Sequence, residues 1–116
     1  MKLNPNCIRD ILIECEFSAD GFEELYIEEN NTPQSLSKYS WVELRYHLAQ
    51  CKLSNLFDEH SGEDVLGGFT INNLSPNGHA LLQNIKPNKV WKKLLTKSIT
   101  SLPTLISTAL EIASFM

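Results

Sequence analysis

Residues 40–82 decide the fold, and their sequence is SWVELRYHLAQCKLSNLFDEHSGEDVLGGFTINNLSPNGHALL. An amphipathic helix begins after Ser40, which forms a capping box with Glu43. A hairpin punctuated by glycines follows, and another helix begins at Ser75 with a proline in its first turn. Helix, strand, turn, strand, helix is the order found in a winged helix, a small scaffold that reads nucleic acid or docks proteins. The sequence therefore predicts an α+β, winged-helix-like fold.

The pattern within this stretch predicts which side chains are buried. The apolar positions that share one helix face are Trp41, Leu44, Leu48 and Cys51, with Val42 and Tyr46 widening that face. Asn55 is expected in the left-handed conformation that ends such helices. Leu56 and Phe57 then begin the first strand of the predicted wing, and Phe69 and Ile71 alternate along the return strand. Leu81, Leu82 and Ile85 form the inner face of the next helix.

A helix, a short strand and a loop precede the stretch that decides the fold. Asn4 as N-cap and Pro5 at the first helical position predict a helix that ends near residues 19–21. Its inner stripe is Cys7, Ile8, Ile11, Leu12 and Cys15. Residues 25–28 predict an edge strand, and residues 30–37 predict a loop or a single helical turn.

After Pro87 the chain predicts additional C-terminal helices. Trp91, Leu94 and Leu95 are expected on the inner side of the first, and Pro103 restarts the helix near Ser101. We therefore divide the chain into a winged-helix-like domain at residues 1–87 and a C-terminal helical extension at residues 88–116. The extension packs either on that domain or on a partner subunit.

The charge is divided unevenly along the 116 residues. Residues 1–64 carry five Lys or Arg and thirteen Asp or Glu, while residues 65–116 carry five Lys and one Glu, so the two parts have net charges of −8 and +4. Opposite charges in one chain are typical of self-association, of an acidic partner or of contact with a phosphate backbone. The alternative is two solvated faces of opposite sign.

The residue types give no sign of catalysis or of a cofactor. No Ser or Cys lies in a nucleophile motif, so we expect a protein that is not an enzyme, with no cofactor and no metal. His47 and Cys51 lie four residues apart on one helix, but two ligands are too few for a tetrahedral site, and a packed, hydrogen-bonded His47 is expected. Three cysteines and no secretory signal favour free buried thiols in a reducing cytoplasm.

A contact with DNA is the weaker of two hypotheses for binding. Arg45 and Gln50 are the candidates on the predicted recognition helix, but residues 58–64 hold four acidic side chains and no Lys or Arg, which would repel phosphates. The plausible surface for an anionic partner lies after residue 85, with Trp91 interleaved. Its cations are Lys86, Lys89, Lys92, Lys93 and Lys97.

The last helix carries a strong apolar stripe that indicates an interface. We expect homodimerisation or another protein contact through Leu105, Ile106, Leu110, Ala113 and Met116. Packing of this stripe within the chain is the rival interpretation. The segment at residues 98–116 is too polar to span a bilayer, so no integral membrane association is expected.

The chain resembles the Domain of Unknown Function 2513 family of small bacterial and phage proteins. The resemblance rests on MKLNPNCIRDIL at 1–12, YHL at 46–48, LSPNGH at 74–79 and VW at 90–91. It implies a winged-helix-like domain, often carried by phages or integrated elements, and no established activity. One departure is Asn55, where the family usually has glycine, but asparagine tolerates the same backbone conformation.

Two functions follow as hypotheses. The first is an accessory or regulatory protein-interaction module that self-associates. The second is a DNA-binding transcriptional regulator, of phage or mobile-element origin, that uses Arg45, Gln50 and the lysines at residues 89–97. The two differ in salt response, because phosphate contacts weaken steeply as salt is added.

Overall fold

The computed structural model describes residues 1–115, and over these residues the protein is α+β. The helices are α1 (Pro5–Ser18), α2 (Trp41–Leu53), α3 (Pro76–Ile85), α4 (Asn88–Leu94) and α5 (Leu102–Ser114), with a single 3₁₀ turn at Gln34–Leu36. The strands are β1 (Leu25–Ile27), β2 (Gly62–Glu63) and β3 (Phe69–Ile71). The predicted order of helices and strands is confirmed at this level.

The three strands form a small antiparallel sheet in the order β1-β3-β2. Leu25 pairs with Ile71 and Ile27 with Phe69, so the inward side chains of β1 and β3 lie opposite one another. On the other edge, Glu63 of β2 pairs with Phe69. Since Phe69 and Ile71 are buried while Thr70 between them is half-buried, the predicted alternation along the return strand is confirmed.

The helix starts follow local capping chemistry. The Asn4 side chain accepts a hydrogen bond from the amide of Asn6, and the hydroxyls of Ser40 and Ser75 accept from residues three positions on. Asn55 adopts φ +59°, the left-handed conformation predicted for the end of α2. All five residues of the predicted α1 stripe are buried.

Two expectations around α2 are wrong. Val42 is 67% exposed rather than buried, because the buried face of α2 is formed by Leu44, Leu48 and Cys51 together with His47. The first hairpin strand does not begin at Leu56 and Phe57. Phe57 makes only an isolated bridge to Leu74, and the chain then turns before β2 begins.

Close backbone packing joins α3 to the end of α2. A Cβ atom added to Gly78 would collide with the carbonyl group of Leu56, whose oxygen also accepts a hydrogen bond from the Ser75 amide at 2.9 Å. Only glycine can therefore occupy position 78, in the first turn of α3. Gly78 thus allows the two backbones to approach closely.

The C-terminal helices contribute to the same core cluster as the preceding elements. Within α4, Val90, Trp91 and Leu94 are buried, whereas Leu95, which was expected to face inward, is 45% exposed. Helix α5 packs on α3 and α4. The division of the chain at residue 87 stays a prediction.

The buried face of α5 is rotated from the predicted stripe. Its buried residues are Leu102, Leu105, Ala109 and Ile112. Leu110 is 62% exposed, and Ile106 and Ala113 are half-buried. The apolar face of α5 is broad, so contact with α3 and α4 decides which of its side chains are covered. Met116 lies outside the described residues.

Candidate interaction surfaces

The outer face of α2 is apolar and aromatic. Val42 is exposed, and Trp41, Tyr46 and Ala49 are half-buried beside it. With Arg45 and Glu63 these side chains line a groove of about 390 Å³ between α2 and β2. We call this the α2 groove. Aromatic and aliphatic groups with one ion pair are the composition of a protein contact rather than of a phosphate contact.

Arg45, the candidate for DNA contact, is held by the hairpin. Its guanidinium Nε donates to Glu63 Oε1 at 3.0 Å, and Nη2 donates to the same oxygen. The arginine remains about half exposed, but its charge is balanced by a carboxylate in direct contact. Gln50, the other candidate on this helix, is half-buried.

The other cation near the end of α2 is also engaged. The Nζ atom of Lys52 lies 3.3 Å from the carbonyl oxygen of Asp58 and 3.5 Å from that of Glu59. These contacts fix the start of the segment that leads to β2. Both cations of α2 are therefore engaged, Arg45 by the hairpin and Lys52 by the segment that leads to it.

A polar network fixes the segment that approaches β2. The Ser61 hydroxyl donates to Asp58 Oδ1 at 2.7 Å, and the Asn72 side-chain amide donates to Oδ2 at 2.6 Å. Partial burial acts to raise the pKa of Asp58, but these hydrogen bonds outweigh it and lower the pKa below its usual range. The carboxylate of Asp58 thus stays charged while it links the residue before β2 to the residue after β3.

A second carboxylate organises the hairpin loop. Asp64 Oδ1 accepts hydrogen bonds from the amides of Leu66 and Gly68, and Oδ2 accepts from the Tyr26 hydroxyl at 3.0 Å. Desolvation acts to raise the pKa of Asp64, but these hydrogen bonds lower it overall. The bond to Asp64 in turn raises the pKa of Tyr26 to about 12. The loop is therefore held in one conformation by side chains on both sides.

The loop presents two aliphatic side chains to solvent, and sequence reasoning missed them. Val65 and Leu66 are both almost completely exposed. Gly67 has φ +90°, and its amide bonds to the Asp64 carbonyl, so the turn projects these two residues at its outer end. The available signal was an aliphatic pair between an aspartate and two glycines, since such a turn leaves no core for the pair to join.

The lysines of the C-terminal half lie on the outer side of α4 and just after it. Lys89, Lys92, Lys93 and Lys97 are exposed, and none of them forms an ion pair with another residue in the range 1–115. Lys86 differs, because it pairs with Glu16 at 2.6 Å. The unpaired set forms a local excess of positive charge, which we call the α4 lysine face.

Trp91 does not take part in the α4 lysine face. It is buried, its indole N–H donates to Asn6 Oδ1 at 3.2 Å, and the Arg9 guanidinium lies 5.1 Å from its ring centroid. Arg9 also donates to the carbonyls of Ile85 and Lys86. The tryptophan therefore fixes α4 against α1 and is not available to stack on a nucleic acid base.

The residues predicted for self-association are divided between core and surface. Leu105 is fully buried within the chain, whereas Ile106 and Leu110 line a groove of about 330 Å³ together with Leu56 and Leu81. Ala113, which follows Leu110 by three residues, is half-buried. The structure thus leaves one part of the predicted stripe accessible, centred on Leu110.

His47 is a buried, hydrogen-bonded side chain. Its Nε2 atom accepts from the Asn4 amide at 2.7 Å, and its Nδ1 atom lies 2.7 Å from the Glu43 carbonyl oxygen. Both bonds are satisfied by a neutral ring that carries its proton on Nδ1. The ring therefore joins α2 to the cap of α1, as the sequence interpretation expected.

The cysteines and carboxylates do not form a metal centre in the part of the chain that the structure describes. Cys7, Cys15 and Cys51 are free and buried, as predicted. Desolvation raises the pKa of Cys7 to about 12, and it raises the pKa of the other two thiols as well. All three are therefore protonated thiols packed in the core.

Comparison with known proteins agrees with the resemblance in the sequence. The family model described as Hypothetical protein (DUF2513) matches residues 2–102. The chain belongs to this family. The match includes α1 to α4 and thus both the α2 groove and the α4 lysine face. No curated protein and no solved structure shows a significant match.

One further finding concerns membranes. Over residues 1–115, every helix is too short or too polar to cross a lipid bilayer.

Proposed function

We propose that this protein is a non-enzymatic, winged-helix-like protein-interaction module that self-associates and has an accessory or regulatory role in the cytoplasm. The observation that carries the proposal is the α2 groove. In that groove an exposed valine and two aromatic side chains surround an arginine already neutralised by Glu63.

The winged-helix interpretation is supported by the order and pairing of the elements. Helix α1, strand β1, the 3₁₀ turn, α2 and the β2–β3 hairpin follow in sequence, with strand order β1-β3-β2. In this scaffold α2 corresponds to the recognition helix and the hairpin to the wing. The α2 groove then lies on the surface that a DNA-binding relative would turn toward the duplex.

The charges of that surface argue against DNA as its partner. The segment from Asp58 to Asp64 carries four carboxylates, and the sequence has no Lys or Arg between Lys52 and Lys86. A wing that contacts DNA needs cations, because neutralised phosphates supply most of the non-specific affinity. An apolar face with an acidic border fits a protein partner better.

One observation favours the alternative, a DNA-binding transcriptional regulator of phage or mobile-element origin. The α4 lysine face has four exposed cations without acidic partners among residues 1–115. A duplex bound there would contact phosphates and not bases, because lysines on one short helix offer charge without bidentate base recognition. Such binding would be weak and strongly salt-dependent.

Fluorescence anisotropy with a labelled duplex separates the two functions. We expect no saturable binding by the wild type at 50 mM salt. Saturable binding that weakens steeply at 200 mM salt, and that disappears when Lys89, Lys92, Lys93 and Lys97 are all changed to Gln, would support the regulator and contradict the module.

Affinity capture from the native host tests the α2 groove directly. We expect a partner protein that is retained by the wild type and lost with Val42→Asp. Leu53→Asp is the matched control, because Leu53 is also an exposed aliphatic residue of α2 but does not line the groove. If Val42→Asp retains the partner as well as Leu53→Asp and the wild type do, the α2 groove is not the contact.

A further inference from the structure

We propose that the hairpin tip of one copy docks into the groove between α4 and α5 of a second copy. The hairpin tip is Val65 and Leu66. The α4–α5 groove is lined by Lys93, Lys97, Ile99, Thr108, Ile112 and Phe115. This inference rests on the proposed self-association and names the surfaces that carry it.

The tip is an apolar projection on a hydrogen-bonded turn. Val65 and Leu66 are almost completely exposed, and the surrounding turn is fixed by the hydrogen bonds that Asp64 accepts. Tyr26 holds Asp64 from the neighbouring strand β1. Because the turn is ordered before contact, little conformational entropy is lost when the tip is buried.

The α4–α5 groove has the complementary composition. Its volume is about 400 Å³, which exceeds that of two aliphatic side chains. Ile99, Ile112 and Phe115 supply apolar surface, and Lys93 and Lys97 stand at its border. An aliphatic pair fits such a groove because burial of both apolar surfaces removes them from water together.

Charge complementarity selects a second copy as the occupant. The hairpin region is acidic: Asp64 adjoins the tip, Asp58 and Glu59 lie nearer the base of the hairpin, and none of them forms an ion pair with a Lys or Arg within residues 1–115. The lysines at the border of the groove likewise have no carboxylate partner there. Glu111 is the single acidic residue on the lining. Opposite charges around an apolar contact steer association and fix its register.

Each copy carries one tip and one groove, so the contact joins two different surfaces. Such a contact either repeats to form an open chain of subunits or closes into a ring or a reciprocal dimer. Removal of either surface stops self-association. A subunit without a tip and a subunit without a groove can still form one tip–groove contact with each other.

Light scattering on the full chain at high micromolar concentration tests this pairing. Wild-type protein is expected to associate at 50 mM salt, with affinity at least about tenfold weaker at 500 mM salt because the flanking charges are screened. The tip variant (Val65→Ser with Leu66→Ser) and the groove variant (Lys93→Glu with Lys97→Glu) are each expected to be monomeric. Circular dichroism and thermal unfolding establish that both remain folded.

The decisive measurement is an equimolar mixture of the two variants. It should form a 1:1 heterodimer and nothing larger, since the groove of the tip variant can accept the tip of the groove variant. Leu53→Ser is the control, because it removes an exposed leucine that lies outside both surfaces and should leave the association unchanged.

The outcomes separate the inference from the proposed function. Association of the tip variant as strong as that of the wild type would overturn the pairing while self-association stands. Two monomeric variants that fail to combine would also overturn it. A wild-type monomer throughout would overturn both the pairing and self-association, and the capture experiment on the α2 groove would then decide the remaining part of the proposed function.

Discussion

The hairpin region at residues 57–75 and the α4–α5 region at residues 88–115 are stabilised by different forces. The hairpin region buries Phe69 and Ile71, but its turns are fixed by side-chain hydrogen bonds: Asp58 bonds to Ser61 and Asn72, and Asp64 bonds to Tyr26 and two amides. The α4–α5 region relies on buried aliphatic and aromatic side chains. The first is acidic and the second basic.

The two regions differ because their elements bury different amounts of apolar surface. A two-residue strand such as β2 has little apolar area to bury, so polar contacts must fix its position. A helix such as α5 buries enough side chain to be fixed by packing alone. We therefore expect the hairpin region to respond to charge and acid, and the α4–α5 region to respond to changes in volume.

The largest effect is expected in α3, the helix that lies between the two regions along the chain. Gly78→Ala would place a methyl group against the Leu56 carbonyl and separate α3 from the end of α2, at a cost of at least about 3 kcal/mol in the free energy of unfolding. Chemical denaturation measures this loss of stability. Gly62→Ala is the control, because nothing lies within 4 Å of an added Cβ there, and its effect should stay within about 0.5 kcal/mol. Equal stability of the two variants would contradict the close packing.

A matched pair on α5 tests the packing of the basic region. Leu105→Ala removes a fully buried side chain and is expected to lower the free energy of unfolding by about 3 kcal/mol, whereas Leu110→Ala should change it by less than about 0.5 kcal/mol because Leu110 is mostly exposed. Urea unfolding of both variants measures the two changes in the free energy of unfolding. Similar losses would mean that the whole predicted stripe is buried.

The sequence predicted most of the local structure, because the signals are themselves local. The capping side chains of Asn4, Ser40 and Ser75 act within three residues, and Asn55 determines its own backbone conformation. The inner face of α1 was also predictable, since its five apolar residues recur at helical spacing. Such features need no knowledge of distant contacts.

The remaining features depend on contacts between distant residues. Arg45 is neutralised by a residue 18 positions later, and Arg9 bonds to carbonyls more than 75 positions away. Neither pairing has a sequence signal. For the same reason the sequence does not decide which apolar residues of α5 are buried within the chain: contact with α3 and α4 covers Ile112, while Leu110 stays exposed.

The smallest predicted effect concerns acid and the hairpin region. The pKa of Asp58 is lower in the folded protein than its unfolded value of about 3.9, so its hydrogen bonds contribute fully above that pH and are lost as the pH falls through the lower folded value. The loss should be at most about 1 kcal/mol, because solvent screens this partly exposed carboxylate.

Urea unfolding at pH 5 and pH 3 measures this loss in the wild type and in Asp58→Asn. The wild type should lose more stability than the variant, and Glu59→Gln, which alters an exposed neighbour, should keep the wild-type response. If Asp58→Asn loses as much stability as the wild type, Asp58 does not make the hairpin region sensitive to acid.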